Sequence, residues 1–212
     1  MTVTLWSAPA IFMTKVYEDI VVLDLKADRY ECLVEAAAWL CVRDDGRLTL
    51  LDEGMARQLI ETGLATDRPP PGRPVLTPPG RALDDSLAVC RPEILRAGLV
   101  MLTAALAFRS RSLQDLTASP PPVPSPRRFD EDRLTEVVCA ARAAAPHIPL
   151  EGECLQRAYR LRRLLWREGF RPQWVFGVRT WPFGAHCWLQ IGDLVVGDTL
   201  DRVRFYTPIM AA

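Results

Sequence analysis

Lysine is almost missing from this 212-residue chain: Lys15 and Lys26 are the only two among 26 basic residues. Formal net charge is zero, so the surplus of Lys and Arg on which nucleic-acid affinity rests is absent. The balance is uneven along the chain, with nine basic and fourteen acidic residues up to position 85 and seventeen and twelve beyond it. No apolar run reaches the ~20 residues that cross a bilayer. The longest, Ala97 to Phe108, is broken only by Thr103 and reads as a buried helix. No basic stretch followed by an apolar core opens the chain, so no secretory signal is expected. Histidine is scarce (His147 and His186), and the six cysteines, Cys32, Cys41, Cys90, Cys139, Cys154 and Cys187, form no CxxC pair. These shortages speak against a Cys/His zinc site and against a disulfide framework. Free thiols in a reducing cytoplasm are expected, with no metal, no cofactor, no nucleic acid and no membrane as partner.

What is present is an ordinary globular composition, 49% hydrophobic and 25% charged, long enough for one medium domain or two small ones. Two stretches dense in Pro, 69–80 and 119–128, can form neither helix nor central strand and act as semi-rigid spacers. They divide the chain into residues 1–68, a helical connector at 81–118, and 129–212. The first part reads as three strands, Ile11–Val16, Ile20–Leu25 and Tyr30–Val34, followed by helices at Ala36–Val42 and after Asp52, the latter N-capped by Asp52 and stopped by Gly63. In the connector, the spacing predicts one or two helices over Arg91–Leu116 that pack Leu95, Leu99, Leu102 and Leu106 along one side. The last part reads as a helix from Asp130 to about Ala145, a helix from Cys154 to Arg167 closed by Gly169, and strands at Gln173–Arg179, Ala185–Ile191 and Leu194–Asp198. No internal repeat is apparent.

Cys154 opens its helix. Helical spacing puts it on one face with Ala158, Leu161 and Leu165, and Arg157, Arg160, Arg163 and Arg167 on the other side. The positive end of the helix dipole favours a thiolate there, against the opposing charges of Glu151 and Glu153. Most free cysteines are merely small buried hydrophobes, so a partner is needed. His186 supplies a candidate. Alternation along its strand places His186, Trp188 and Gln190 on one face and Cys187, Leu189 and Ile191 on the other, which makes Cys187 a poor nucleophile. A general-base imidazole needs a third group to orient it, and Asp198 fills that place if the hairpin pairs 186 with 198 through a three-residue loop. A two-residue loop at Gly192-Asp193 would pair Asp198 with Cys187 and turn the carboxylate away, leaving Asp201 as the fallback. His147 is expected outside the cluster.

The run Cys154-Leu155 … Leu164-Leu165-Trp166-Arg167-Glu168-Gly169-Phe170 … Gly177-Val178-Arg179 … Pro182-Phe183-Gly184-Ala185-His186-Cys187-Trp188 … Val195-Val196-Gly197-Asp198 resembles the transglutaminase-like leader peptidases of lasso peptide biosynthesis, the B proteins. The resemblance implies Cys154 as nucleophile, His186 as base and Asp198 as orienting carboxylate. The chain departs from it at Cys187, where members commonly carry Ala, and at Gly197, where they commonly carry Asn. Phe12-Met13-Thr14 … Val21-Val22-Leu23-Asp24-Leu25 … Arg29-Tyr30, with Glu61-Thr62-Gly63-Leu64, is similar to the winged-helix-like domain that binds precursor leaders. In that family the leader adds as a strand to a sheet edge, which implies a groove between Tyr30, Cys32 and Val34 on one side and Met55, Gln58, Leu59 and Thr62 on the other.

The fold expected is therefore α+β, a small winged-helix-like peptide-recognition domain followed by a papain/transglutaminase-like cysteine peptidase domain. The function the resemblance implies is capture and removal of a leader peptide, with the precursor and an ATP-dependent, asparagine-synthetase-like lasso cyclase as partners. Backbone N–H groups at the start of the Cys154 helix are candidate oxyanion donors. Two competing readings are another acyl-transfer enzyme of this fold, a transglutaminase or amidase, and a non-catalytic leader-binding escort.

Overall fold

A computed structural model describes residues 2–70, 72–84, 90–118, 129–148 and 152–212. Its elements run β1 (Val3–Ser7), β2 (Ile11–Val16), β3 (Asp19–Asp24), β4 (Arg29–Leu33), β5 (Leu40–Val42), β6 (Arg47–Leu50), α1 (Glu53–Glu61), β7 (Ala65–Thr66), β8 (Arg81–Ala82), α2 (Arg91–Phe108), α3 (Leu113–Thr117), α4 (Glu131–Ala144), α5 (Cys154–Arg167), β9 (Gln173–Arg179), β10 (Gly184–Ile191), β11 (Leu194–Val196), α6 (Leu200–Val203) and β12 (Thr207–Ala211). The class is α+β. Three sheets form, ordered β5-β6-β1-β7, β2-β3-β4 and β12-β9-β10-β11-β8.

Where residue chemistry is strong, the elements fall as the sequence indicates. Asp52 caps α1 by accepting from the backbone N–H of Met55 at 2.8 Å, and Gly63, at φ 74°, turns the chain out of the helix. Asp130 caps α4 in the same way, through the N–H of Arg133. The alanine run behaves differently. Only a single 3-10 turn forms at Ala36–Ala38, and Leu40–Val42 is a strand paired with β6. Three alanines offer too few turns for a stable helix, while Leu40, 1% exposed, gains more by pairing over the core. The first segment thus carries one α-helix among the described residues. Short strands that the sequence hid, β1, β6 and β7, complete its second sheet, and β12 adds to the edge of β9.

The leucines of α2 are the other correction. Leu95, Leu99 and Leu106 lie on the exposed side, whereas Ala97, Val100, Met101, Ala104 and Ala105 face the core. α2 packs closely on α4 and α5, and small residues permit that approach better than leucines do. The described residues of the 69–80 stretch form neither helix nor strand, yet they are pinned. Arg73 donates from Nη2 to Ser7 Oγ and to the Ile11 carbonyl, both at 2.6 Å, and its guanidinium lies 4.3 Å over the Phe12 ring. Gln190 donates to the Thr77 carbonyl at 2.6 Å. The 119–128 stretch and Glu151 lie outside the described residues.

The three-stranded sheet joins the parts. Alternation along β2 and β3 sends Ile11, Met13, Ile20 and Val22 into a core shared with β1, β6 and α1. It sends Val16, Val21 and Leu23 to the opposite face, into the core built by α2–α5, β9 and β10. A smaller cluster, Val175, Trp188, Val195 and Val203, covers the far face of the five-stranded sheet.

Candidate active site

Cys154 is the first residue of α5, half-buried, and Glu153 at the N-cap makes no side-chain hydrogen bond to the helix. The first-turn N–H groups therefore keep their partial positive charge directed at the sulfur. Ala158 and Leu165 are buried on the inward face, as helical spacing requires. The arginines do not all sit outside, however. Arg160 is 3% exposed and lines a cavity of about 260 Å³ beside Cys154. Arg162 is also buried. Its guanidinium stacks 4.3 Å over Trp166 and 5.3 Å over Trp174, and donates to the Leu116 carbonyl at 3.2 Å, while burial pulls its pKa down to about 10. A helix packed by α2, α4 and β10 together has a buried arc wider than one stripe.

His186 stands on β10 opposite Gly177 of β9. A Cβ at Gly177 would lie 2.7 Å from the Trp188 ring and 2.9 Å from Tyr206 Cβ, so only glycine leaves room for the two rings that flank the imidazole. Trp188 lies near-parallel to it at 6.2 Å and Tyr206 tilts against it at 5.2 Å. His186 Nε2 is 2.5 Å from Asp198 Oδ2. Asp198 Oδ1 accepts the Thr199 N–H at 2.8 Å.

That contact arises by an unexpected route. The β10–β11 hairpin has the two-residue loop, pairing Leu189 with Val196 and Ile191 with Leu194. Continued regularly, this register would set Asp198 against Cys187. The pairing stops at Val196 instead, and Gly197, at φ 72°, swings the next side chain toward His186. Asp201, at the exposed start of α6, is not involved. His147 is exposed and does not line the cavity.

Asp198 occupies Nε2, which leaves Nδ1 as the ring nitrogen for Cys154, with which His186 and Asp198 line one cavity. Hydrogen bonds from the Cys187 thiol and from His186 pull the Cys154 pKa from 9.0 down to about 4. Burial pushes the His186 pKa down, but the bonds to Asp198 and Cys154 outweigh it and carry it up to about 9. Burial opposes ionisation of Asp198 as well, yet His186 and the Thr199 N–H hold its carboxyl below the usual range. These shifts favour a thiolate beside an imidazolium steadied by a carboxylate, an arrangement suited to nucleophilic attack with proton return.

Cys187 was expected to point away from this chemistry. It does lie on the β10 face opposite His186, across from Phe176, but that face is the one α5 covers. It lines the same cavity as Cys154, and the interaction with Cys154, together with burial, drives its own pKa up. The signal in the sequence was the departure from Ala at this position.

The N-terminal residues divide between two surroundings. Tyr30 packs into the core that contains Cys154, and its ring meets Phe183, in the turn before His186, at 5.7 Å. Burial and the nearby sulfurs of Cys187 and Cys154 raise the pKa of its hydroxyl. Cys32 shares the face of Tyr30 by alternation, and Val34 is exposed just beyond β4. By contrast, Leu59 is buried, Met55 half-buried and Gln58 and Thr62 exposed on α1, which packs on the sheet containing β1, β6 and β7. The structure therefore does not gather the two halves of this set around one groove. A second link joins the same parts, the Trp181 indole donating to Asp19 at 2.8 Å.

Among the described residues, no group of three or more His, Cys, Asp or Glu side chains is placed to hold a metal ion. No helix there is long and apolar enough to cross a membrane. A stretch of 48 residues, 23% of the chain, is 38% identical to the microcin J25-processing protein McjB of Escherichia coli. The matched stretch spans 23% of that relative's length. No solved structure matches the chain significantly. Residues 98–211, more than half of the chain and including Cys154, His186 and Asp198, match the transglutaminase-like superfamily, and the protein belongs to that family.

Proposed function

We propose that the protein is a cysteine peptidase that removes the leader from a ribosomally made lasso peptide precursor. The observation that carries this reading is Cys154 at the head of α5, lining one cavity with a His186 that is bonded to Asp198, in a chain similar over 48 residues to a microcin-processing protein. In the proposed reaction the Cys154 sulfur attacks the scissile carbonyl, and His186 gives its proton to the departing amine. His186 then takes a proton from water, which attacks the thioester and frees the leader acid and the thiolate. Backbone N–H groups opening α5 receive the oxyanion. The leader would add along β4, whose outer edge is unpaired among the described residues. The freed amino terminus would then pass to an ATP-using, asparagine-synthetase-like cyclase.

The test is incubation of the full chain with a lasso precursor, read by mass spectrometry. Two fragments summing to precursor plus water are expected. An amide adduct with added amine would replace the reading by acyl transfer, and an intact bound precursor would leave an escort role.

The pH dependence of kcat/KM follows from the two pKa values. The thiolate forms as pH rises through about 4, and the imidazolium is lost as pH rises through about 9. A bell between those limits is expected. A profile that only begins to rise near pH 8 would mean that the sulfur is not ionised by this cluster.

A further inference from the structure

A second concavity, of about 270 Å³, lies between the β2–β3 turn and the ends of β9, α6 and β12. Lys15, Arg179 and Arg204 line it together with the rings of Tyr17, Phe205 and Tyr206, and no carboxylate does so among the described residues. Glu18 and Asp201 are exposed but do not line it. None of the three cations is in an ion pair among the described residues. Arg179 is held in place. It pairs with Gly184 across β9 and β10, where a Cβ would come within 2.8 Å of its Nε, and its guanidinium lies 5.6 Å over the Tyr206 ring. That same ring tilts against the His186 imidazole at 5.2 Å. The pocket and His186 therefore share a wall.

We propose that this pocket is a specificity subsite, which holds the carboxylate of an acidic side chain of the precursor within about three residues of the scissile bond. The inference rests on the peptidase reading and adds to it the chemistry of the substrate near the cut. A cleft lined by cations alone gathers negative charge. Arg179, set between Gly184 and Tyr206, presents a planar fork of donors that matches a carboxylate, and the rings beside it suit the apolar stem of an acidic side chain. The span follows from the shared wall, since the reach from His186 past Tyr206 to Arg179 is one that an extended chain covers in about three residues. A carboxylate on the peptide fits better than a free small anion, because whatever the pocket holds lies beside the bond being cut. Lys15 belongs to the N-terminal part and Arg179 and Arg204 to the C-terminal part, so both parts of the chain contribute to this recognition.

The test places Glu, Gln or Lys in turn at each of the three positions on either side of the cut site mapped in the lasso precursor, and reads kcat/KM with the full chain. Glu and Gln differ in charge but hardly in shape, so their ratio isolates the carboxylate. At one position or more, Glu should be cut about tenfold faster than Gln, the effect of a hydrogen-bonded charge, and Lys more slowly than either. Arg179→Gln should bring the Glu-to-Gln ratio at that position to within about twofold of one. Should that variant fail to fold, Lys15→Gln, on the other side of the pocket, should lower the ratio in the same sense. A ratio below about threefold at every position in the unaltered protein overturns the inference. So does a variant in which Glu and Gln peptides slow equally and the ratio survives, since that gives the cation a merely structural role. No cleavage of any peptide in the series would instead overturn the peptidase reading, and the subsite with it.

Discussion

Cys154→Ala is expected to reduce precursor cleavage by on the order of 10⁵-fold or more, to the uncatalysed background. The magnitude follows from the absence of a substitute: Cys187 is protonated and buried, and neither Cys41 nor Cys90 lines the cavity. Precursor affinity should stay within about threefold, because Cys154 lies on α5 while a leader added as a strand is held by the backbone of the β4 edge. Folding stability should change by no more than about 1 kcal/mol, since one half-buried sulfur is removed. Cleavage rates and binding isotherms on the same preparation check both halves. Residual cleavage within a hundredfold of the unaltered protein would move the nucleophile elsewhere.

Replacement of His186 by alanine should lower kcat/KM by roughly 10³- to 10⁴-fold at neutral pH, through two losses that act together. The proton donor for the leaving amine disappears, and the sulfur loses the imidazole that helps to lower its pKa. Asp198→Asn should cost less, since an amide can still bond Nε2, but it removes the charge that holds the imidazolium up to about 9. The alkaline limb of the pH profile should therefore move to lower pH, as it does not in a variant that merely loosens packing. An Asp198→Asn profile with an unmoved alkaline limb would assign that limb to another group.

The site was more legible in the sequence than the scaffold. Cys154, His186 and Asp198 each carry a reactive group with an order and spacing that a family shares, so three residues could be named before any fold was in hand. How Asp198 reaches His186 was not legible, because a left-handed glycine at 197 overrides the regular pleat that a strand pattern assumes. Cys187 falls on the face that alternation assigns to it, opposite His186; what alternation does not tell is that α5 covers that face. The leucines of α2 misled because four leucines at regular spacing mimic a core stripe, whereas close helix packing chose Ala97, Ala104 and Ala105. The strands β1, β6 and β7 are too short to show a period. The two halves of the N-terminal set appeared adjacent in an inferred groove, yet β4 lies in the β2-β3-β4 sheet whereas α1 packs on the sheet of β1, β6 and β7.

The sheet of β2, β3 and β4 is apolar on both faces, and each face belongs to a different core. A polypeptide ending at residue 68 would expose Val16, Val21, Leu23 and Leu25 to water, at roughly 1.5–3 kcal/mol for each such side chain. Such a fragment would seek a partner for that strip, either another copy of itself or the missing half supplied in trans. The two parts thus relate as subunits of a permanent heterodimer that happen to share one chain. A split gene encoding them separately would yield a protein that assembles by the same valine and leucine contacts, and its activity would vary with the concentration of both pieces.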